Sequence, residues 1–353
     1  MPFYQQINPT TVEGKRTLDR LLSLRKSIKK QIPQRTLQET LLLATWNIRD
    51  FDKATYGDRL EEAIYYIAEI IASFDLVAIQ EVYQDLSGLE RVMKVLGGHW
   101  KYICTDATEG RRGNDERMAF VYDSRKVSFG GIAGELVLPP IKNADGEYHP
   151  VTQLWRTPFM VGFRSGWTKF ILTTVHILWG KSERNSPERV EEIHQIAEFL
   201  KKRTKDETAW AQNIILLGDF NIFGTDDETF QQITNAGFVV PEELLEFRSN
   251  ATQTRHYDQI AFQVRPGSLT MTGKAGVFNF FDVVFKETDK DIYIPYMENY
   301  ETTTEGTPRT DRSKKNYYQT FWRTHQMSDH LPMWVELQID YSDQYLASKL
   351  EAE

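Results

Sequence analysis

The chain has 353 residues, 41% of them hydrophobic and 12% aromatic, and a formal net charge of −8. It can bury a sizeable core, and its acidic balance argues against a protein that coats nucleic acid by bulk charge. A single cysteine, Cys104, excludes an intramolecular disulfide and a thiolate-rich zinc cage, and fits a reducing compartment.

The N-terminal stretch MPFYQQINPTTVEGKR lacks the apolar core of a secretory signal. No segment approaches the roughly 20 apolar residues that span a bilayer, so a soluble, cytoplasmic protein is expected. Residues 1–40 read as a basic amphipathic helical extension. Leu18, Leu21, Leu22, Leu24, Ile28 and Ile32 recur at roughly helical spacing among eight lysines and arginines, against Glu13, Asp19 and Glu39. Such a helix suits a membrane or nucleic-acid surface, but the commoner use, packing on the body with its charges solvated, is the expectation here.

After Pro33 the pattern becomes α/β. Residues 41–48, 75–82, 117–123, 169–178, 214–219, 257–264 and 332–339 read as strands, and 58–74 and 186–203 as helices, the second opening on Ser186-Pro187. The segment 286–326 is polar, aromatic and without period, and reads as a long surface loop inserted before the last strand.

Most of the apolar strands have polar residues at or beside one end. Asn47 is followed by Arg49 and Asp50; Gln80 precedes Glu81; His176, Asp219 and Asn221 close two more; Ser328-Asp329-His330 precedes the last. Alone, each is ordinary: a single histidine on an apolar strand is usually a satisfied core residue. Together they are what a site assembled from several strand ends requires. Carboxylates and carboxamides are hard oxygen ligands suited to Mg²⁺ or Mn²⁺. Two histidines without cysteine partners suit acid–base work better than zinc ligation. The chemistry this set serves best is attack of water on a phosphoester. In IILLGDFNIFG, strand alternation would turn Asp219 and Asn221 into one cavity with Phe220 behind them.

The motifs TWNIR, IQEV, ERMAFVYD, VHI, GDFN, YDQI and SDH stand in the order seen in the endonuclease/exonuclease/phosphatase superfamily. Over residues 41–339 the chain most resembles the deoxyribonuclease I branch. The resemblance implies an α/β (α+β) four-layer sandwich, two packed mixed β-sheets flanked by helices. It would occupy 41–341 as one domain, with 342–353 as a C-terminal tail. It further implies that Asn47, Glu81 and Asp329 hold a divalent ion, Mg²⁺ or Mn²⁺, a structural Ca²⁺ also being compatible. Asp219 and Asn221 would act on the phosphate, His330 oriented by Asp258 as general base, and His176 paired with Glu116 as general acid. Arg49, Arg117 and Arg156 would contact substrate phosphates.

The chain departs from that branch in having no disulfide pair and in carrying Tyr83 and Asn114 where the branch uses a groove-reading arginine and a DNA-stacking tyrosine. The implied function is a metal-dependent phosphodiesterase, foremost a deoxyribonuclease I-like endonuclease with DNA as substrate. The alternative is a phosphodiesterase or phosphatase for a phospholipid or soluble phosphate ester, of sphingomyelinase or inositol-phosphatase type. A non-catalytic binding module is disfavoured because every polar residue of the set is present. No stable protein partner is implied, and a monomer is expected. His256 is expected in a surface loop.

Overall fold

The computed structural model describes residues 2–52, 58–108, 115–206, 208–265 and 267–351. Helix α1 (Val12–Gln31) starts at Thr11, whose hydroxyl accepts from the Gly14 amide at 3.0 Å. Its stripe of Leu21, Leu24 and Ile28 is buried. Its cations are used locally: Arg16 pairs with Glu62, Arg25 with Glu69 at 2.8 Å and Arg20 with Asp289 at 2.9 Å. Glu62 and Glu69 lie on α2 (Glu61–Ile71), which is buried almost all round, and buried carboxylates need such partners. The basic helix therefore packs on the body as expected.

In β1 (Thr40–Phe51) the run LLLATWN alternates between two buried environments. Leu41 and Leu43 join one core, while Leu42, Ala44 and Trp46 join another beneath the helices. Through α2 the chain reaches β2 (Leu76–Tyr83), parallel to β1, then α3 (Ser87–Leu96), β3 (Trp100–Cys104) and β4 (Glu116–Asp123). Strand β5 (Ser128–Glu135) and a small hairpin of β6 (Ile141–Lys142) and β7 (Tyr148–His149) lead to β8 (Phe159–Ser165) and β9 (Thr168–His176). Helix α4 (Pro187–Thr204) crosses to β10 (Ile214–Asp219), parallel to β9. There follow α5 (Glu228–Asn235), β11 (Asp258–Gln263), β12 (Thr270–Val277) and, after the 286–326 segment, β13 (Met333–Gln338).

The larger sheet has the order β12-β13-β1-β2-β4-β3 and the second β11-β10-β9-β8-β5. Each is built on one parallel pair joined through a helix, β1–α2–β2 and β9–α4–β10, with antiparallel neighbours on either side. Leu43, Ala78, Phe120, Phe163, Leu172 and Leu216 belong to the core that joins the two sheets, and Ile193 and Leu200 of α4 extend it across the second. The result is the four-layer α/β sandwich. Both parallel pairs deliver the C-terminal ends of their strands to the same end of it, the usual place for a site in such sheets.

The 286–326 segment is not loop throughout. It forms short helical turns, including Lys290–Tyr293, Asp311–Asn316 and a π-helical turn over Tyr317–Trp322. Tyr293, Tyr318 and Trp322 are buried beside Phe285, with Phe285–Tyr293 and Tyr293–Trp322 ring centroids 4.7 and 5.3 Å apart. Its aromatic residues follow no single period, which in sequence reads as loop, yet irregular helical turns bring them to one face. The 342–353 tail contains an exposed helix, Ser342–Leu350.

At the N-terminal ends of β1 and β2, Asp75 accepts from the Leu42 amide at 2.8 Å and pairs with Arg35 and Lys126, each at 2.6 Å. Arg35 also reaches Asp123 at 2.6 Å, which binds Arg125. Burial alone would push the Asp123 carboxyl up, but hydrogen bonds from Arg125 and Arg35 reverse this and hold it below the usual carboxylate range. A carboxyl depressed by folding stabilises the fold above its unfolded pKa of about 3.9, and that contribution fades as pH falls toward the folded value. The Tm deficit of Asp123→Asn relative to wild type is therefore expected to be largest near neutrality and to close below about pH 4. A deficit that stays constant in thermal melts across that range counts against the linkage.

Candidate active site

The end of β1 places Asn47 between two carboxylates: its Nδ2 donates to Glu81 Oε1 at 2.8 Å and to Asp219 Oδ2 at 3.0 Å. Asn47 is fully buried, and its Oδ1 has no hydrogen-bond partner. Strict alternation would send Glu81 to the face opposite Gln80. Instead Glu81 takes a left-handed conformation (φ 59°) at a register shift against both β1 and β4. Such a bulge re-aims a side chain. The turned carboxylate is fixed by Asn47 and by the Asp50 amide at 2.8 Å, Asp50 itself being left-handed at φ 43°. Beneath this layer Gln80 donates to Thr45 at 3.1 Å and across the sandwich to Thr174 at 2.7 Å.

On the second sheet His176 and Asp219 are register partners at the ends of β9 and β10. Gly218 permits this: its φ is 137°, and a Cβ there would meet the Val175 carbonyl oxygen at 2.2 Å. His176 Nδ1 lies 2.7 Å from Glu116 Oε2, and its Nε2 lies 3.5 Å from Asp219 and 3.8 Å from Glu81. His330 repeats the arrangement from the other side. Its Nδ1 lies 2.8 Å from Asp258 Oδ2 and its Nε2 3.7 Å from Asp219 Oδ2. Asp219, 1% exposed, thus stands between two imidazoles, each held from behind by its own carboxylate.

Ser328 ties these parts together. It donates to the Asn47 carbonyl at 2.6 Å and accepts from the His330 amide at 3.0 Å and the Arg49 amide at 3.1 Å. Trp46 Nε1 donates to the His330 carbonyl at 2.9 Å.

Burial opposes charge on His330, but the Asp258 and Asp219 carboxylates outweigh it and push its pKa well up. His176 moves up more modestly, since burial and Arg156 work against Glu116 and Asp219. Burial, then the charge of Glu116, raises Glu81. The centre is therefore crowded with carboxylates and has an orphaned carboxamide oxygen. That donor set fits a hard divalent cation. Among the described residues, ligand atoms within 4.8 Å of one another form two groups, Glu81–Glu116–His176 and Asp219–Asp258–His330. Asp329 belongs to neither, although its charge is felt by Glu81 and His330.

Asn221 does reach the site, but not by strand alternation. The strand ends at Asp219, and Asn221 is left-handed at φ 54°. Its amide donates to Asp219 Oδ1 at 2.9 Å and its Nδ2 to the Ile177 carbonyl at 2.8 Å. Among the arginines, Arg156 is buried and sits 2.9 Å from Glu116. Arg49 bonds Thr324 at 2.6 Å and the Thr320 carbonyl at 3.1 Å, while Arg117 bonds Asp106 at 2.9 Å. Tyr83 pairs in register with Glu116, and Asn114 lies outside the described residues. His256 is buried rather than placed in a surface loop.

The sequence reading missed an aromatic wall next to His330. Tyr257 lies 5.4 Å from the His330 ring and packs with Trp179 and Phe223 at 5.5 and 5.9 Å. Trp179 remains 38% exposed, and Arg255 stacks on Phe223 at 4.3 Å. Burial and then Asp219 push the Tyr257 phenol up to about 12. The cue was present in LWG and NIFG, each just after a site motif.

Two mixed sheets, each built on a parallel βαβ pair, with His–carboxylate and Asp–Asn ends converging between them, define the deoxyribonuclease I-like fold of the endonuclease/exonuclease/phosphatase superfamily. Among solved structures with this fold is a functionally unknown conserved protein from Enterococcus faecalis (16% identity, 84% of this chain and 99% of that one, TM-score 0.53). An endonuclease/exonuclease/phosphatase family protein from Bacteroides thetaiotaomicron is 18% identical over 86% of this chain and 100% of its own, with a TM-score of 0.51. TDP2 from D. rerio, complexed with single strand DNA product, is 14% identical over 84% and 98%, also at 0.51. No family model matches the sequence, and no curated protein does. Among the described residues no helix is long and apolar enough to cross a membrane.

Proposed function

We propose that the chain is a divalent-metal-dependent phosphodiesterase, acting on a nucleic-acid strand and foremost on DNA. The observation that carries the reading is the pair of His–carboxylate couples facing one another across Asp219. Two imidazoles on opposite sides of one acidic centre can handle the proton of the attacking water and that of the leaving oxygen separately. Asn47, Glu81 and Asp329 would hold Mg²⁺ or Mn²⁺, which when bound polarises the phosphate and makes water more acidic.

His330 acts as general base through Nε2. Asp258 accepts from its Nδ1–H, fixing the tautomer that leaves Nε2 free to take a proton. His176, oriented by Glu116, gives a proton to the departing oxygen. Asn221 and Asp219 set the phosphate between them. His330 must be neutral to work as a base; the charges of Asp258, Asp219 and Asp329 push its pKa up, and a cation held at Asn47 and Glu81 would oppose them.

The strand preference draws support from the wall of Trp179, Phe223 and Tyr257, a stacking surface for a base, and from the fold neighbour solved with a single strand DNA product. The expected phosphate cations contribute less, since Arg49 and Arg117 are engaged elsewhere.

The test is a substrate panel with Mg²⁺, Mn²⁺ or chelator: duplex and single-stranded DNA, RNA, sphingomyelin and inositol phosphates. Metal-dependent cleavage of a strand is expected; turnover of only a lipid or inositol ester transfers the site to the alternative reading. Within that assay Trp179→Ala is expected to raise KM for an oligonucleotide roughly tenfold, the scale of one base–aromatic stack. Its kinetics on bis-p-nitrophenyl phosphate serve as the comparison, and an equal loss on both substrates removes the stacking role.

A further inference from the structure

At the opposite end of the second sheet, β8 and β9 are joined by a two-residue turn, Gly166-Trp167, with Ser165 and Thr168 paired across it. The turn is pinned to the other sheet by the Trp167 amide, which donates to the Ile339 carbonyl at 2.9 Å. Trp167 thereby stands at a hairpin tip with 58% of its surface exposed; Tyr345 meets it at 5.4 Å, tilted by 42°. Beside it opens a cavity of about 450 Å³, lined also by Lys169, Trp210, Arg265 and Ser268.

Trp210 lies flat on the sheet because β5 and β8 carry glycines beneath it. A Cβ on Gly130 or Gly162 would come within 2.4 or 2.8 Å of the ring. Lys169 Nζ lies 5.0 Å and the Arg164 guanidinium 5.6 Å from its centroid, so the indole holds two cations in place. Among the described residues no carboxylate lies within 4.0 Å of Lys169, Arg164 or Arg265. None of the residues lining the cavity is acidic. On a chain with a net charge of −8, a concave surface lined by two unneutralised cations, with a third beside it on Trp210, and by an exposed tryptophan is a local exception.

We infer that this cavity binds a nucleoside phosphate, the base against Trp167 and the phosphate toward Lys169 and Arg265. The chemistry is shared by a free nucleotide and by a nucleotide within a single strand. Strand β9 runs nine residues from Thr168 to His176, about 26 Å at the usual rise, so the nucleotide held here is not the one at His176. The site stands whether or not the hydrolytic reading holds.

The test is calorimetric titration in chelator, where nothing is cleaved, with AMP and with an unstructured oligodeoxythymidylate. Wild type is expected to bind at least one of them. Trp167→Ala and Lys169→Glu are expected to weaken binding roughly tenfold or more, the scale of one stack and one close charge. Arg265→Glu, on an exposed side chain, should repeat the loss without disturbing the fold. Glu81→Gln at the other end should leave this binding in place. Tighter, steeply salt-dependent binding of the oligonucleotide identifies a strand as the ligand, and equal binding of both identifies the free nucleotide. Absence of binding, or binding that ignores Trp167, Lys169 and Arg265, overturns the site. So does binding that disappears with Glu81.

Discussion

His330→Ala is expected to lower kcat for phosphodiester hydrolysis by about 10²–10⁴-fold, the usual contribution of a positioned general base. The geometry makes the loss specific. His330 Nδ1 is committed to Asp258 at 2.8 Å, and its Nε2 is the ring atom that faces Asp219 and the centre. Asp258→Asn keeps the shape but no longer fixes the same tautomer, so it should lose much of the same activity. Groups that act as a unit are non-additive; the double variant should fall little below the worse single one. A double variant whose losses multiply would mean that Asp258 acts independently of His330. Both single variants also disturb a buried pair, so steady-state kinetics belong beside a thermal melt of each. Unchanged kcat in a folded His330→Ala protein ends its assignment as base.

The sequence made the central elements of this fold legible because they are buried on both faces. Leu41 to Ala44 and Ile214 to Leu217 form unbroken apolar runs that only an interior strand explains. Strands β3, β5 and β12, all at sheet edges, were missed, as were the β6–β7 hairpin and the interior strand β8. In β5 the sequence SFGGIAGE carries no hydrophobic alternation, since Gly130 answers to the Trp210 ring, a partner 80 positions away. The turns of 286–326 were missed for a related reason: Tyr293 meets Trp322 only through tertiary packing.

The site shows the same division. Which polar residues close the strands could be read directly, and the structure gathers most of them around Asp219. How they are aimed could not. Glu81 and Asn221 reach the centre through left-handed backbone rather than through strand alternation, and strained conformations of this kind concentrate at functional sites. Arg49 and Arg117 were expected on substrate, but Thr320, Thr324 and Asp106 take their guanidinium groups. Motif position gives a side chain's address, whereas its direction depends on partners distant in sequence.

Glu81→Gln is expected to move activity and stability in opposite directions. The amide nearly matches the carboxylate in shape but lacks its charge, the property a hard cation requires. Metal affinity and metal-dependent hydrolysis should fall by more than the 10–100-fold typical of losing an outer partner of a metal site, with partial recovery at high metal concentration. In chelator the sign should reverse. Glu81 is desolvated and shares its surroundings with Glu116 and Asp329, so both burial and like charge penalise its ionised form. Removing that charge should stabilise the metal-free protein by about 1 kcal/mol, as is common when a residue held for function is replaced. Divalent metal should then raise the Tm of wild type and much less that of the variant, because only the intact site binds the ion preferentially in the folded state. Titration calorimetry with Mg²⁺ or Mn²⁺ and paired melts with and without chelator measure both effects. A variant that keeps wild-type metal affinity removes Glu81 as a ligand. One that loses affinity and is also less stable in chelator shows instead that the carboxylate's bonds to Asn47 and the Asp50 amide outweigh its repulsion by Glu116 and Asp329.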